Sequence, residues 1–136
     1  MHLAPDSTSA PARSEFPAVP TRGGLSPAHL GRALEAIEAR LPKSILVAEL
    51  AASIPMSPFH FARAFKASMG MPPHRFILTQ RIERAKVLLE NGNDPIASIS
   101  ERSGFKTTSH FTSVFRQLCG VTPARYRASR RDVVAG

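Results

Sequence analysis

Apolar residues in this chain recur at steps of three and four. Nowhere do they alternate for long enough to make a strand, so the pattern predicts helices throughout. Leu30, Leu34, Ile37 and Leu41 form the first stripe, opened by Ser26-Pro27 and stopped by Pro42. Residues 47–54 turn Val47, Leu50, Ala51 and Ile54 inward. Ser57 caps a helix over 58–69 that buries Phe61, Ala64 and Phe65 and ends at Gly70. Pro73 opens a longer helix to about Glu90, buried along Leu78, Ile82, Ala85 and Leu89, which Asn91-Gly92-Asn93 terminates. A short helix over 95–103 rests on Ile96 and Ile99 and stops at Gly104. Thr107 caps a helix over 108–119 with Phe111, Val114, Phe115 and Leu118 inside, and Gly120 follows it. Thr122-Pro123 begins a last short helix holding Tyr126. The expected fold class is all-α, with about seven helices.

Two stretches of this pattern say the same thing. His60-Phe61-Ala62-Arg63-Ala64-Phe65-Lys66 and Gly70-Met71-Pro72-Pro73 return as His110-Phe111-Thr112-Ser113-Val114-Phe115-Arg116 and Gly120-Val121-Thr122-Pro123. Each copy follows a short helix and a tight turn, at Pro55-Met56 and at Gly104-Phe105, so each reads as a helix-turn-helix. The first unit covers about 47–70 and the second about 95–120, and the second has one extra residue after its turn. The helix over 73–90 joins them and spans roughly 27 Å at about 1.5 Å per residue. That approaches the roughly 34 Å between adjacent major-groove segments on one face of B-DNA. Residues 1–22 carry Pro5, Pro11, Pro17 and Pro20 among Ser, Thr and Ala without an apolar period, and are expected to be a disordered tail. Residues 132–136 are expected to be a short second tail.

Charge sharpens the functional question. The chain has 136 residues and a net charge of +8. Residues 105–131 contain Lys106, Arg116, Arg125, Arg127, Arg130 and Arg131 without an acid, and residues 57–70 carry Arg63 and Lys66 alone. Such clustering suits a phosphate-backbone ligand, and a solvated basic surface accounts for it equally well. No uncharged run is long enough to span a bilayer, and the N-terminus lacks the apolar stretch of an export signal. Cys119, the single cysteine, cannot form an internal disulfide, which fits a reducing cytoplasm, and it reads as a small core residue. His60 and His110 have no neighbouring Cys or carboxylate to complete a metal site. No phosphate loop, Ser/His/Asp set or carboxylate pair points to catalysis, so neither an enzyme nor a cofactor is expected.

From about Gly23 to Arg131 the chain resembles the DNA-binding domain of AraC/XylS-type transcription regulators. The carrying residues are Ala48-Glu49-Leu50-Ala51, Ser57 to Lys66, Gly70 to Phe76, Arg81-Ile82-Glu83-Arg84-Ala85 and Ile99 to Tyr126. The resemblance implies a seven-helix domain over 23–131 whose third and sixth helices enter adjacent major grooves of double-stranded DNA. It further implies a transcriptional activator that contacts RNA polymerase, and a cytoplasmic location, a monomer on DNA and no membrane partner are expected beside it. Pro55 stands where the family usually has glycine, so that turn is expected to close differently. Ser113 stands where relatives often carry a longer or basic residue. Residues 1–22 are too few for the family's usual effector-binding domain, which implies a short stand-alone form or a detached C-terminal half.

The candidate base-reading residues are Phe59, Ala62 and Arg63 on the first recognition helix and Thr108, Ser109, Thr112 and Ser113 on the second. Arg63 has the planar fork that matches guanine O6 and N7. The short hydroxyls read bases weakly and often through water. Lys66, Lys106, Thr107 and Arg116 are the phosphate candidates, with Thr107 serving also as a helix cap. The first unit is thus expected to discriminate and the second to anchor. The competing function is a protein-interaction module that pairs with a relative or with polymerase without reading DNA.

Overall fold

A computed structural model describes residues 23–135, with side chains to residue 131. The tail expected over residues 1–22 lies outside the described residues. Among the described residues there are seven helices and no strand. They are α1 (Pro27–Arg40), α2 (Val47–Ala52), α3 (Pro58–Met69), α4 (Pro73–Glu90), α5 (Ile96–Arg102), α6 (Thr108–Cys119) and α7 (Pro123–Ala135). They form two compact units. Residues 23–39 and Ile45–His74 make the first, and Arg40–Ser44 with the chain from Arg75 onward make the second.

Side chains fix the starts of four helices. The Ser57 hydroxyl accepts the His60 N–H at 3.2 Å at the start of α3, and Thr107 accepts that of His110 at 3.0 Å at the start of α6. Ser26 and Thr122 do the same for His29 and Arg125 at the starts of α1 and α7. Helices α3 and α6 end alike: the Gly70 and Gly120 N–H groups donate to Lys66 and Arg116 carbonyls, each at 2.8 Å.

Within each unit one scaffold helix carries a helix-turn-helix. In the first, Leu30, Ala33 and Ile37 of α1 are buried, as are Leu50, Ala51 and Ile54 around α2 and Phe61, Ala64 and Phe65 of α3. In the second, Ile82, Ala85 and Leu89 of α4 cluster with Ile99, Phe105, Phe111, Val114 and Phe115. The scaffold stripes share one spacing, so the repeat includes α1 and the C-terminal part of α4. A shared contact reinforces it: Arg32 donates to the Ser53 carbonyl at 3.3 Å, and Arg84 to the Arg102 carbonyl at 3.1 Å. Each arginine satisfies a carbonyl orphaned at the end of its short helix. The helix expected to be a connector is therefore also the second unit's scaffold.

The turns differ as the proline at position 55 requires. In the second unit Gly104 donates to the Glu101 carbonyl and Phe105 to that of Ser100, each at 3.0 Å. In the first, Pro55 has no N–H, and the Ala51 carbonyl accepts from both Ile54 at 3.0 Å and Met56 at 3.3 Å. Gly104 has a positive φ of 94°, and a Cβ there would fall 2.5 Å from the Leu41 carbonyl oxygen and 2.6 Å from Arg81 Nε. Arg81 holds the strap Arg40–Ser44 by donating to the Leu41 carbonyl at 3.1 Å and the Lys43 carbonyl at 2.6 Å. Burial pulls its guanidinium below the usual arginine range.

Several sequence expectations need correction. Leu118, placed inside α6, is 39 % exposed because it lies beyond the edge of the Phe111–Phe115 stripe. Ala33 is fully buried in the α1 stripe while Leu34 is only half-buried, and Val47, Leu78 and Ile96 are half-buried too. The last helix is not short: α7 has 13 residues and continues through the stretch from 132 read as a tail. Helices α2 and α5 end at Ala52 and Arg102, before the expected 54 and 103, because the turn bonds take over there.

The second unit's turn and helix end allow tests of stability. Gly104→Ala meets both a left-handed backbone and an occupied space, and should lose about 2–5 kcal/mol in denaturant unfolding. Gly120→Ala meets the backbone penalty alone, with nothing within 4 Å of its Cβ, and should lose about 1–2 kcal/mol. Equal losses would contradict the steric reading. Ser103 sits fully buried where the first unit has Ile54, and its hydroxyl has no partner among the described residues. Ser103→Ala should therefore be neutral or gain up to about 1 kcal/mol, and a clear loss in the same assay would show that the hydroxyl is bonded.

Candidate nucleic-acid interface

Helices α3 and α6 present their candidate residues because their phenylalanines face the other way. Phe61 and Phe65 of α3 are fully buried, with ring centroids 5.7 Å apart. On the opposite side Phe59 is 67 % exposed, Arg63 and Lys66 are exposed, and Ala62 is half-buried. The Arg63 guanidinium lies over the Phe59 ring, 5.6 Å from its centroid. That stack holds a planar donor fork outward beside an apolar ring. His60 is exposed, and its Nδ1 sits 3.1 Å from the Ser57 hydroxyl, so the ring serves the helix cap.

In α6, Phe111 and Phe115 are fully buried, and Thr108, Ser109, Ser113 and Arg116 are exposed with Thr112 half-buried. These five residues, with Gln117, line a shallow open concavity of about 750 Å³. Gln117 was missed by sequence reasoning; its signal was the step of four from Ser113. Lys106 and Thr107 are exposed just before the helix, and the Thr107 hydroxyl is engaged as its cap. His110 packs edge-on against Phe105 at 5.5 Å. Neither α3 nor α6 contains an acidic residue.

The basic run over 105–131 divides into two groups. Arg127 donates to the Asp94 carbonyl at 2.6 Å and the Leu89 carbonyl at 3.4 Å, and Arg131 donates to that of Gly92. Arg130 lies 3.7 Å from the Glu90 carboxylate, which also accepts the Tyr126 hydroxyl. These groups close the carbonyl end of α4, where helix backbone is left unsatisfied. Lys106, Arg116 and Arg125 have no such partner among the described residues. Half of the apparent basic patch is therefore structural. The described residues hold no cluster of three or more metal-binding side chains, and no described helix is long and apolar enough to cross a membrane. Cys119 is half-buried against the second core, and burial pushes its thiol up.

This arrangement recurs in known proteins. The helix-turn-helix domain family matches residues 50–129. The DNA-binding domain of AdpA, a global transcriptional factor solved with a target DNA, is 31 % identical, with a TM-score of 0.73 over 76 % of this chain and 93 % of that one. The chain belongs to the AraC/XylS-type family of helix-turn-helix transcription regulators. An AraC-type regulator from Chromobacterium violaceum is similar at 29 % identity, with a TM-score of 0.71 over 76 % of this chain and 92 % of that one. Among longer proteins, the probable transcriptional regulator LumQ of Photobacterium leiognathi is 36 % identical over 91 residues, 67 % of this chain and 37 % of LumQ. The regulatory protein PocR of Salmonella typhimurium is 36 % identical over 96 residues, 71 % of this chain and 32 % of PocR. The chain thus spans about a third of the length of these two relatives. The family is one of DNA-binding regulators, not of enzymes.

Burial, reinforced by the Glu90 carboxylate, pushes the Tyr126 phenol from 10.0 up to about 12. The folded phenol keeps its proton where the unfolded one has lost it. Its stabilising contribution is therefore complete below pH 10 and disappears as pH rises to about 12. The stability difference between the wild type and Tyr126→Phe should shrink across that window in denaturant titrations. A difference independent of pH would remove the Tyr126–Glu90 contact from the account of α7.

Proposed function

We propose that this protein is a sequence-specific transcription regulator of double-stranded DNA, an activator that places α3 and α6 in adjacent major-groove segments. The observation that carries this is the exposed, acid-free face of each recognition helix opposite its buried phenylalanines. A helix face of that kind suits a groove walled by phosphates. The 18-residue α4 supports the choice of adjacent segments, since its length of roughly 27 Å approaches the spacing of about 34 Å.

The two faces divide the work unequally. Arg63, steadied by Phe59, pairs with guanine O6 and N7, while Phe59 and Ala62 offer apolar contact to a thymine methyl. Thr108, Ser109, Thr112 and Ser113 bring hydroxyls to base edges, which discriminate less. Lys66, Lys106 and Arg116 bind phosphate, and Thr107 orders the start of α6 beside it. Activation through RNA polymerase, a cytoplasmic location and a monomeric state on DNA complete the proposal, on the strength of the family.

Binding of single variants to selected and random duplexes tests the division. Arg63→Ala should relax preference at one base pair, costing about 1–3 kcal/mol on the preferred site. Arg116→Ala should weaken all duplexes alike and lower the slope of log K against log salt by about 1. The opposite assignment of effects would reverse the roles of α3 and α6. A wild type that loses preferred and random duplexes together as salt rises would reject sequence-specific reading.

A further inference from the structure

We propose that Gln117 is the side chain through which α6 selects a base, and that the base is adenine. This rests on the DNA-reading function above. The exposed side of α6 is two parallel rows with a step of four: Thr108, Thr112 and Arg116, and beside them Ser109, Ser113 and Gln117. The matching rows of α3 are Pro58, Ala62 and Lys66, and Phe59, Arg63 and Ala67. The first rows agree, each ending in a cation. The second rows are inverted. On α3 the long side chains hold the first two places and alanine the third. On α6 small hydroxyls hold the first two and glutamine the third.

Helix geometry makes the inversion functional. Side chains on a helix lean toward its N-terminus and cover the turn before their own Cα. Gln117 is thus carried toward the patch that Ser113 leaves open, and both line the same concavity. Gln117 is exposed, and its amide has no hydrogen-bond partner among the described residues. The amide offers a donor and an acceptor side by side. Adenine presents the complementary pair, N7 and N6–H₂, in the major groove, whereas a lone hydroxyl accommodates any base. The long reading element of the second unit has therefore moved one turn along the helix, about 5.4 Å, from where the first unit carries it.

Selection of bound sites from a random duplex library tests this with the full chain, comparing wild type, Gln117→Ala and Gln117→Glu. The wild type should select a two-part site with adenine at one position of the part that Arg63→Ala leaves unchanged. Gln117→Ala should lose that preference by about 5- to 100-fold and keep the rest of the site. Gln117→Glu should move the preference to cytosine, whose N4 amine donates to a carboxylate. A two-part site left intact by both variants, or a uniform loss without change of preference, overturns the assignment of Gln117 and leaves the DNA-reading function standing. A wild type that selects no site overturns that function and this inference together.

Discussion

Two phenylalanines one turn apart fix how α3 and α6 are each rolled about their own axes. Phe61 and Phe65, and again Phe111 and Phe115, are fully buried with ring centroids 5.7 Å apart. Burial of each ring stabilises by about 1.5–3 kcal/mol, so a roll that brings either pair to water is strongly disfavoured. Ser57 and Thr107 fix the starts of these helices, and Gly70 and Gly120 their ends. With roll and ends determined, only one face remains outward. Its chemistry can then vary between the two copies without disturbing the fold, which is how α3 carries an aromatic–arginine stack and α6 a set of hydroxyls.

Positive charge serves two separate purposes. Arg32, Arg81, Arg84, Arg127 and Arg131 each donate to a backbone carbonyl at a helix end or in a strap. Carbonyls at such places have no helical partner, and a guanidinium can satisfy two of them from one side chain, as Arg81 and Arg127 do. Arg63, Lys66, Lys106, Arg116 and Arg125 are among the cations left facing solvent. The net charge of +8 thus overstates the charge left free for a ligand. Position relative to the buried stripe sorts the two groups better than sign does.

Most helices were legible in the sequence because their signals are local. The bounds of α3, α4 and α6 follow from Ser57, Pro73 and Thr107 and from the Gly or Asn residues after them. The outward placement of Arg63 and Ser113 follows from the period of the phenylalanines. What escaped was non-local. The scaffold repeat is hidden because its offset is fifty-two between Leu30 and Ile82, forty-nine between Leu50 and Ile99, and fifty between Phe61 and Phe111. The work of Arg127 and Arg131 depends on carbonyls more than thirty residues away. Leu118 and Leu34 show the limit of reading an apolar residue as buried when a stripe is only two residues wide. Gln117 is hard to read as outward-facing because it sits in the last turn of α6, beside the apolar Leu118 and Cys119.

The strap of residues Arg40–Ser44 gives the chain an interleaved order. They begin with the last residue of α1, whose other residues lie in the first unit, yet they belong to the second, where Leu41 and Lys43 receive Arg81 beneath Gly104. No single cut divides the chain into both complete units. A fragment beginning at α4 would leave the Arg81 guanidinium facing an emptied seat, and a fragment ending at His74 would carry away a strap with nothing to fasten it. The two units are similar in plan, but because the strap lies between two stretches of the first unit, neither unit is one unbroken length of chain.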